Sequence, residues 1–179
     1  MIKKIAVLFS AMLFSYMVLR ADVMPGDTIN VAYKLHGQTR RFKFVYDLEG
    51  DGGITLHWSI MRNLRLWKGS YSMSPESVER GSRQSCLMPE DGNHITLKGC
   101  ETFGMISADS FNELCEKGKF IYNGVEYVKT GEGVSDLGNV IEVVDEEEGA
   151  RMQILDNGKL PLIVRMSDNP LEIDWTMTK

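Results

Sequence analysis

The chain has 179 residues, with 20 basic and 25 acidic side chains and a formal charge of −5. No basic stripe opposes that negative balance, so nucleic acid is not expected as a partner. The length suits one domain with a hydrophobic core of its own, without a metal or a dense disulfide framework to hold it.

The chain begins Met1-Ile2-Lys3-Lys4, continues with an uncharged, largely apolar run over 5–19, and reaches Arg20-Ala21 before the polar Asp22-Val23-Met24-Pro25-Gly26. A basic start, an apolar middle and a small residue at the end are the parts of a secretory signal peptide. Residues 1–21 are therefore predicted to be a signal peptide cut after Ala21, although Leu19 is larger than the small residue the peptidase prefers. An uncleaved anchor is the competing reading, but a spanning helix needs roughly 20 apolar residues and this run is shorter. The expectation is export to the periplasm, the cell surface or the exterior, with no transmembrane segment after cleavage. Without Lys3, Lys4 and Arg20 the remaining 22–179 keep 17 basic against 25 acidic residues, a formal −8.

Most of 22–179 alternates apolar and polar residues with period two, the mark of half-buried strands. Residues 28–36 place Ile29, Val31, Tyr33 and Leu35 on one side, and 40–47 do the same with Phe42, Phe44 and Tyr46. After the glycine-rich turn at 48–53, strands are predicted at 54–60, 64–67 and 71–73. Residues 74–81 read as a short helix capped by Ser74, with Pro75 first and Gly81 last. The one definite helix is 107–117, capped by Ser107 and stopped by Gly118, with Ala108, Phe111, Leu114 and Cys115 as its apolar stripe. Asn123-Gly124 between alternating residues predicts a tight hairpin. Further strands are expected at 140–144, 152–155, 160–166 and 171–177. The predicted fold is a single β-rich domain, antiparallel throughout. A sandwich, a barrel-like form and a curled sheet with the helix packed on it all remain open.

Candidate chemistry is sparse. Asp47, Glu49 and Asp51, followed by Gly52, have the alternate spacing of a loop that wraps Ca²⁺. Trp58 stands where such a loop places its closing glutamate, however, so a solvated hairpin turn competes with the metal site. Among the three cysteines, Cys86 and Cys100 are a candidate disulfide, and Cys115 is expected to be buried on its helix. His36, His57 and His94 show no paired metal-ligand spacing, and no G-x-S-x-G or phosphate loop occurs. Trp58, Trp67, Met73, Met105, Met166 and Trp175 are candidates to line an adaptable apolar cavity, against the plainer reading that they complete the core. The expected function is a non-catalytic binding or interaction module of the bacterial cell envelope, its partner an envelope protein or an apolar small molecule. The alternatives are a carrier with its ligand in a curled-sheet cavity and a small exported hydrolase. The hydrolase would need a polar cleft where a histidine and carboxylates converge.

Overall fold

The structure, a computed structural model, describes residues 23–86 and 88–179, so the predicted signal peptide lies outside the described residues. Alternation is converted into strands as the sequence requires. β1 (Thr28–Leu35) buries Ile29, Val31 and Tyr33, and β2 (Gln38–Leu48) buries Phe42, Phe44 and Tyr46. β3 (Ile54–Arg62) buries Ile54, Leu56 and Trp58, while β4 (Arg65–Met73) is one continuous strand across two predicted pieces. Gly69 makes that continuity possible: a Cβ there would lie 2.6 Å from Trp58, so only glycine lets the indole cross β4.

Next come α1 (Pro75–Arg80), β5 (Arg83–Gln84), β6 (His94–Thr96), β7 (Glu101–Thr102) and α2 (Ala108–Lys117). The second half of the chain forms β8 (Lys119–Tyr122), β9 (Val125–Ser135), β10 (Gly138–Asp145), β11 (Arg151–Leu155), β12 (Ile163–Ser167) and β13 (Ile173–Thr178). Eleven strands make one open sheet in the order β6-β4-β3-β2-β1-β13-β12-β11-β10-β9-β8, and β5 with β7 makes a second, two-stranded one. The sheet is not antiparallel throughout: β4 pairs parallel with β6 and β5 with β7. Residues 74–93 form the crossover from β4 to β6 and residues 85–100 that from β5 to β7, each bringing the chain back in its original direction, which a parallel pair requires.

The large sheet curls, and the contacts of residues 102–106 show it. Phe103 stacks on Tyr71 of β4 at 5.0 Å and meets Phe44 of β2 at 6.0 Å. Thr102 reaches Tyr122 of β8, at the far edge, and Met105 bridges to Leu162. One short segment thus touches strands from both ends of the sheet order. That is possible only if the ends bend toward each other around it, an exaggeration of normal strand twist. Gly104, at φ 67°, makes the bend, and a Cβ on it would collide with the Tyr46 hydroxyl. The result is a trough with a filled floor, neither a sandwich nor a closed barrel.

Both helices start as their sequences specify. The Ser107 Oγ accepts from the Ser110 N–H at 3.3 Å, and Ser74 accepts from Ser77 at 3.2 Å. Gly118 ends α2 in the left-handed region at φ 70°. Gly81 ends α1 at φ −58°, and its role is close approach, because a Cβ would lie 2.7 Å from Thr102. Phe111 and Leu114 pin α2 to the sheet. Truncating a leucine as buried as Leu114 costs about 2–5 kcal/mol. Cys115 is exposed instead of buried. It lies about 100° round the helix from Leu114, off the stripe, and Ser110 takes the inward place.

Candidate ligand-binding recess

The trough is not filled to its rim. Five hairpin turns, at 36–37, 63–64, 123–124, 146–150 and 168–172, lie on one rim of the sheet, since β1, β3, β8, β10 and β12 run toward it and β2, β4, β9, β11 and β13 away. At this rim the floor opens into an apolar recess of about 290 Å³. This is close to the lower end of the roughly 300–1,000 Å³ typical of small-ligand sites. Its walls are Tyr33 and Leu35 of β1, Arg40 and Phe42 of β2, Met166 of β12, and Ile173 and Trp175 of β13. Gln84, Cys86, Pro89 and Phe103 roof it, and Leu171, 68% exposed, stands at the mouth.

Two polar groups distinguish this recess from an ordinary core gap. The first is the Tyr33 hydroxyl, which is buried and has no hydrogen-bond partner among the described residues. Three other buried tyrosines each find one. Tyr46 donates to the Phe103 carbonyl at 3.3 Å, Tyr71 accepts from the Met88 N–H at 2.9 Å, and Tyr122 donates to Gln84 Oε1 at 3.0 Å. Burial pushes the Tyr33 phenol far up from its ordinary value, with Tyr71 and Tyr122 adding to the effect. Tyr33 therefore stays a neutral donor. The second group is Arg40, half-buried, directly opposite Tyr33 in the β1–β2 register and on the same face. It has no ion pair among the described residues. The Tyr33 ring is held by Phe42 at 5.8 Å and Trp175 at 5.5 Å, and the Trp175 Nε1–H is spent on the Ile163 carbonyl at 2.8 Å. The recess thus offers apolar walls, one unmatched O–H donor and one unmatched cation.

Of the six side chains predicted to line a cavity, Met166 and Trp175 do line it. Trp58, Met73 and Met105 are buried in the core instead, and Trp67 is half-buried beneath the Arg62 guanidinium, 4.7 Å above its ring. Tyr33, Arg40 and Phe42 were not singled out from sequence. Alternation puts Tyr33 inside, but a sequence does not say which buried hydroxyl will lack a partner.

The predicted calcium loop disperses its ligands. Asp51 accepts from the Gly53 N–H at 2.9 Å, and Asp47 faces His57 at 3.4 Å. Glu49 joins the turn through its backbone, donating to the Gly53 carbonyl at 2.8 Å. Among the described residues no three acidic, histidine or cysteine side chains converge as metal ligands. The Cys86–Cys100 pairing is also absent, since both thiols are free and exposed. The reason is register: Cys100 bonds through its carbonyl to the Ser82 and Arg83 N–H groups. Cys86 is four residues beyond Ser82, about 13 Å along an extended chain, whereas a disulfide needs Cα atoms within about 7 Å.

The histidines lie outside the recess. His94 Nδ1 is 2.7 Å from Ser70 Oγ, and His57 pairs across β3 and β4 with the same Ser70. With Asp47 they form a polar row on the outer face of the sheet. No described helix is long and apolar enough to cross a membrane. No protein family matches this chain, and neither a curated protein nor a solved structure is significantly similar to it.

Proposed function

We propose that the chain is an exported, non-catalytic binding module of the bacterial cell envelope or exterior, and that it takes an apolar small molecule bearing an oxygen acceptor. The observation that carries this reading is the unpartnered Tyr33 hydroxyl at an apolar recess. A buried donor without an acceptor costs about 1–3 kcal/mol, a cost removed when a ligand oxygen accepts from it. Apolar walls supply affinity, and the hydroxyl supplies orientation. Arg40 at the same recess favours an anionic or strongly polarised oxygen on the ligand.

The test is titration of the purified, delipidated chain with the neutral apolar probe N-phenyl-1-naphthylamine. Saturable enhancement of its emission is expected, with energy transfer from Trp175. In Ile173→Trp, which fills the recess from its half-buried wall, that binding is expected to be lost while the circular dichroism spectrum is retained. Absence of saturable binding, or binding indifferent to the filled recess, refutes the reading.

A further inference from the structure

The turn between β3 and β4 is strained and exposed at the same residue. Its two-residue loop, Asn63–Leu64, has both φ angles positive, at 52° and 60°, a pattern that favours glycine at the second position. Among the described residues, the other two-residue loops with both φ positive, His36–Gly37 and Asn123–Gly124, carry glycine there. Leu64 holds a branched side chain in the left-handed region, which is disfavoured for any residue with a Cβ. That side chain is also 100% exposed. No contact among the described residues offsets either penalty, and strain of this kind at the surface points to a use outside the fold.

Leu64 has company. Met61 and Leu66 are directly paired across the hairpin and are 63% and 56% exposed. Residues 59–69 contain Arg62, Arg65 and Lys68 and no acid, and Arg41 and Lys43 of β2 line the same outer-face hollow as Met61 and Leu66. Arg65 reaches Asp91 at 3.1 Å, and Arg62 lies over Trp67. Arg41, Lys43 and Lys68 have no ion pair among the described residues. In a chain of net charge −5 this is a local reversal of sign. The acidic turn at 145–148, between β10 and β11, opens on the same rim, but β11 stands five places from β3 in the sheet order.

We infer that the β3–β4 hairpin is a docking element that seats Leu64, Met61 and Leu66 in the surface of an anionic lipid membrane. Three aliphatic tips are too small a patch for a stable protein interface, which takes about 800 Å² from each partner. They fit insertion to headgroup depth, where flanking arginine and lysine stems follow the apolar residues down and keep their charges among the phosphates. This inference is independent of what occupies the recess.

Flotation of the full purified chain with vesicles tests it, using a phosphatidylglycerol–phosphatidylethanolamine mixture against phosphatidylcholine alone. Partitioning into the anionic vesicles is expected to exceed that into the neutral ones by tenfold or more, and to fall as salt rises. Leu64→Gly relieves the backbone and keeps the fold, yet is expected to lower partitioning about tenfold. Lys43→Gln and Lys68→Gln are each expected to lower it about fivefold. No partitioning at low salt, or equal partitioning by the wild type and Leu64→Gly, overturns the inference. Sedimentation velocity covers the remaining occupant: a concentration-dependent dimer that Leu64→Gly abolishes would assign the tip to a second copy of the chain and overturn the membrane assignment.

Discussion

Replacing Tyr33 with phenylalanine separates the cost of the orphaned hydroxyl from the benefit of the ring that carries it. The ring contacts with Phe42, Phe44 and Trp175 survive the change, since only the oxygen is lost. In the unliganded protein that oxygen is buried with no partner among the described residues. Its removal therefore stabilises the fold by about 1–2 kcal/mol, within the usual penalty for an unsatisfied buried group. For a domain of this size that corresponds to a rise in Tm of roughly 3–6 °C. The assay is thermal and urea unfolding of protein stripped of bound ligand by unfolding and refolding in detergent-free buffer. The m-value should be unchanged, because the surface exposed on unfolding is the same. The same variant should bind an oxygen-bearing apolar ligand about tenfold more weakly, since one hydrogen bond is lost. A stripped Tyr33→Phe protein that melts at a lower temperature refutes the reasoning, because the hydroxyl would then have had a partner all along.

Two other outcomes follow from the same structure. Leu64→Gly should stabilise the fold by about 0.5–1 kcal/mol, the left-handed penalty of leucine less the extra chain entropy of glycine, and chemical denaturation measures it. Alkaline pH should unfold the protein cooperatively. Burial raises the phenols of Tyr33, Tyr46, Tyr71 and Tyr122 above their ordinary value, and pushes Tyr127 up to about 12, with Asp145 and Glu148 adding to it. The unfolded chain releases these protons near pH 10 while the folded chain holds them, so stability is intact below pH 10 and falls above it. Each retained proton steepens the loss by about 1.4 kcal/mol per pH unit. Tyrosinate absorbance and loss of circular dichroism should then rise together, and tyrosines that titrate one by one in a folded protein would contradict the burial.

The strands and both helix starts were legible because they obey local rules. Period-two alternation fixed which face of β1, β2 and β3 points inward, and Ser74 and Ser107 announced their helices through capping chemistry. What escaped was whatever depends on the chain meeting itself. The second half of β9 was missed because Gly131-Glu132-Gly133 is poor strand sequence, rescued here by pairing with β10. The 63–64 turn was missed because leucine is the wrong residue for it. The disulfide failed on the β5–β7 register, which no spacing reveals. Met166 and Trp175 were found at the recess, while Tyr33 and Arg40 became a site only when the register set them side by side at a trough left open.

The two surfaces meet in one geometry. Lys43 lies opposite Ser59, and extending that register toward the rim sets Arg40 against Arg62 and Gln38 against Leu64. The mouth of the recess and the apolar tip therefore share a rim, with Leu171 of the β12–β13 turn, itself 68% exposed, at the opening. A hairpin seated in headgroups would bring the mouth to the bilayer surface, so that an apolar ligand could pass between membrane and recess with little of its surface crossing water. Since about 25 cal/mol is lost for each Å² of apolar surface exposed to water, a shared rim lowers the barrier to exchange without weakening the bound state. Coupled experiments can isolate this. Leu64→Gly should leave equilibrium binding of a soluble probe at the recess unchanged while slowing its transfer from anionic vesicles to the protein. Equal transfer rates would mean that the tip and the recess work separately.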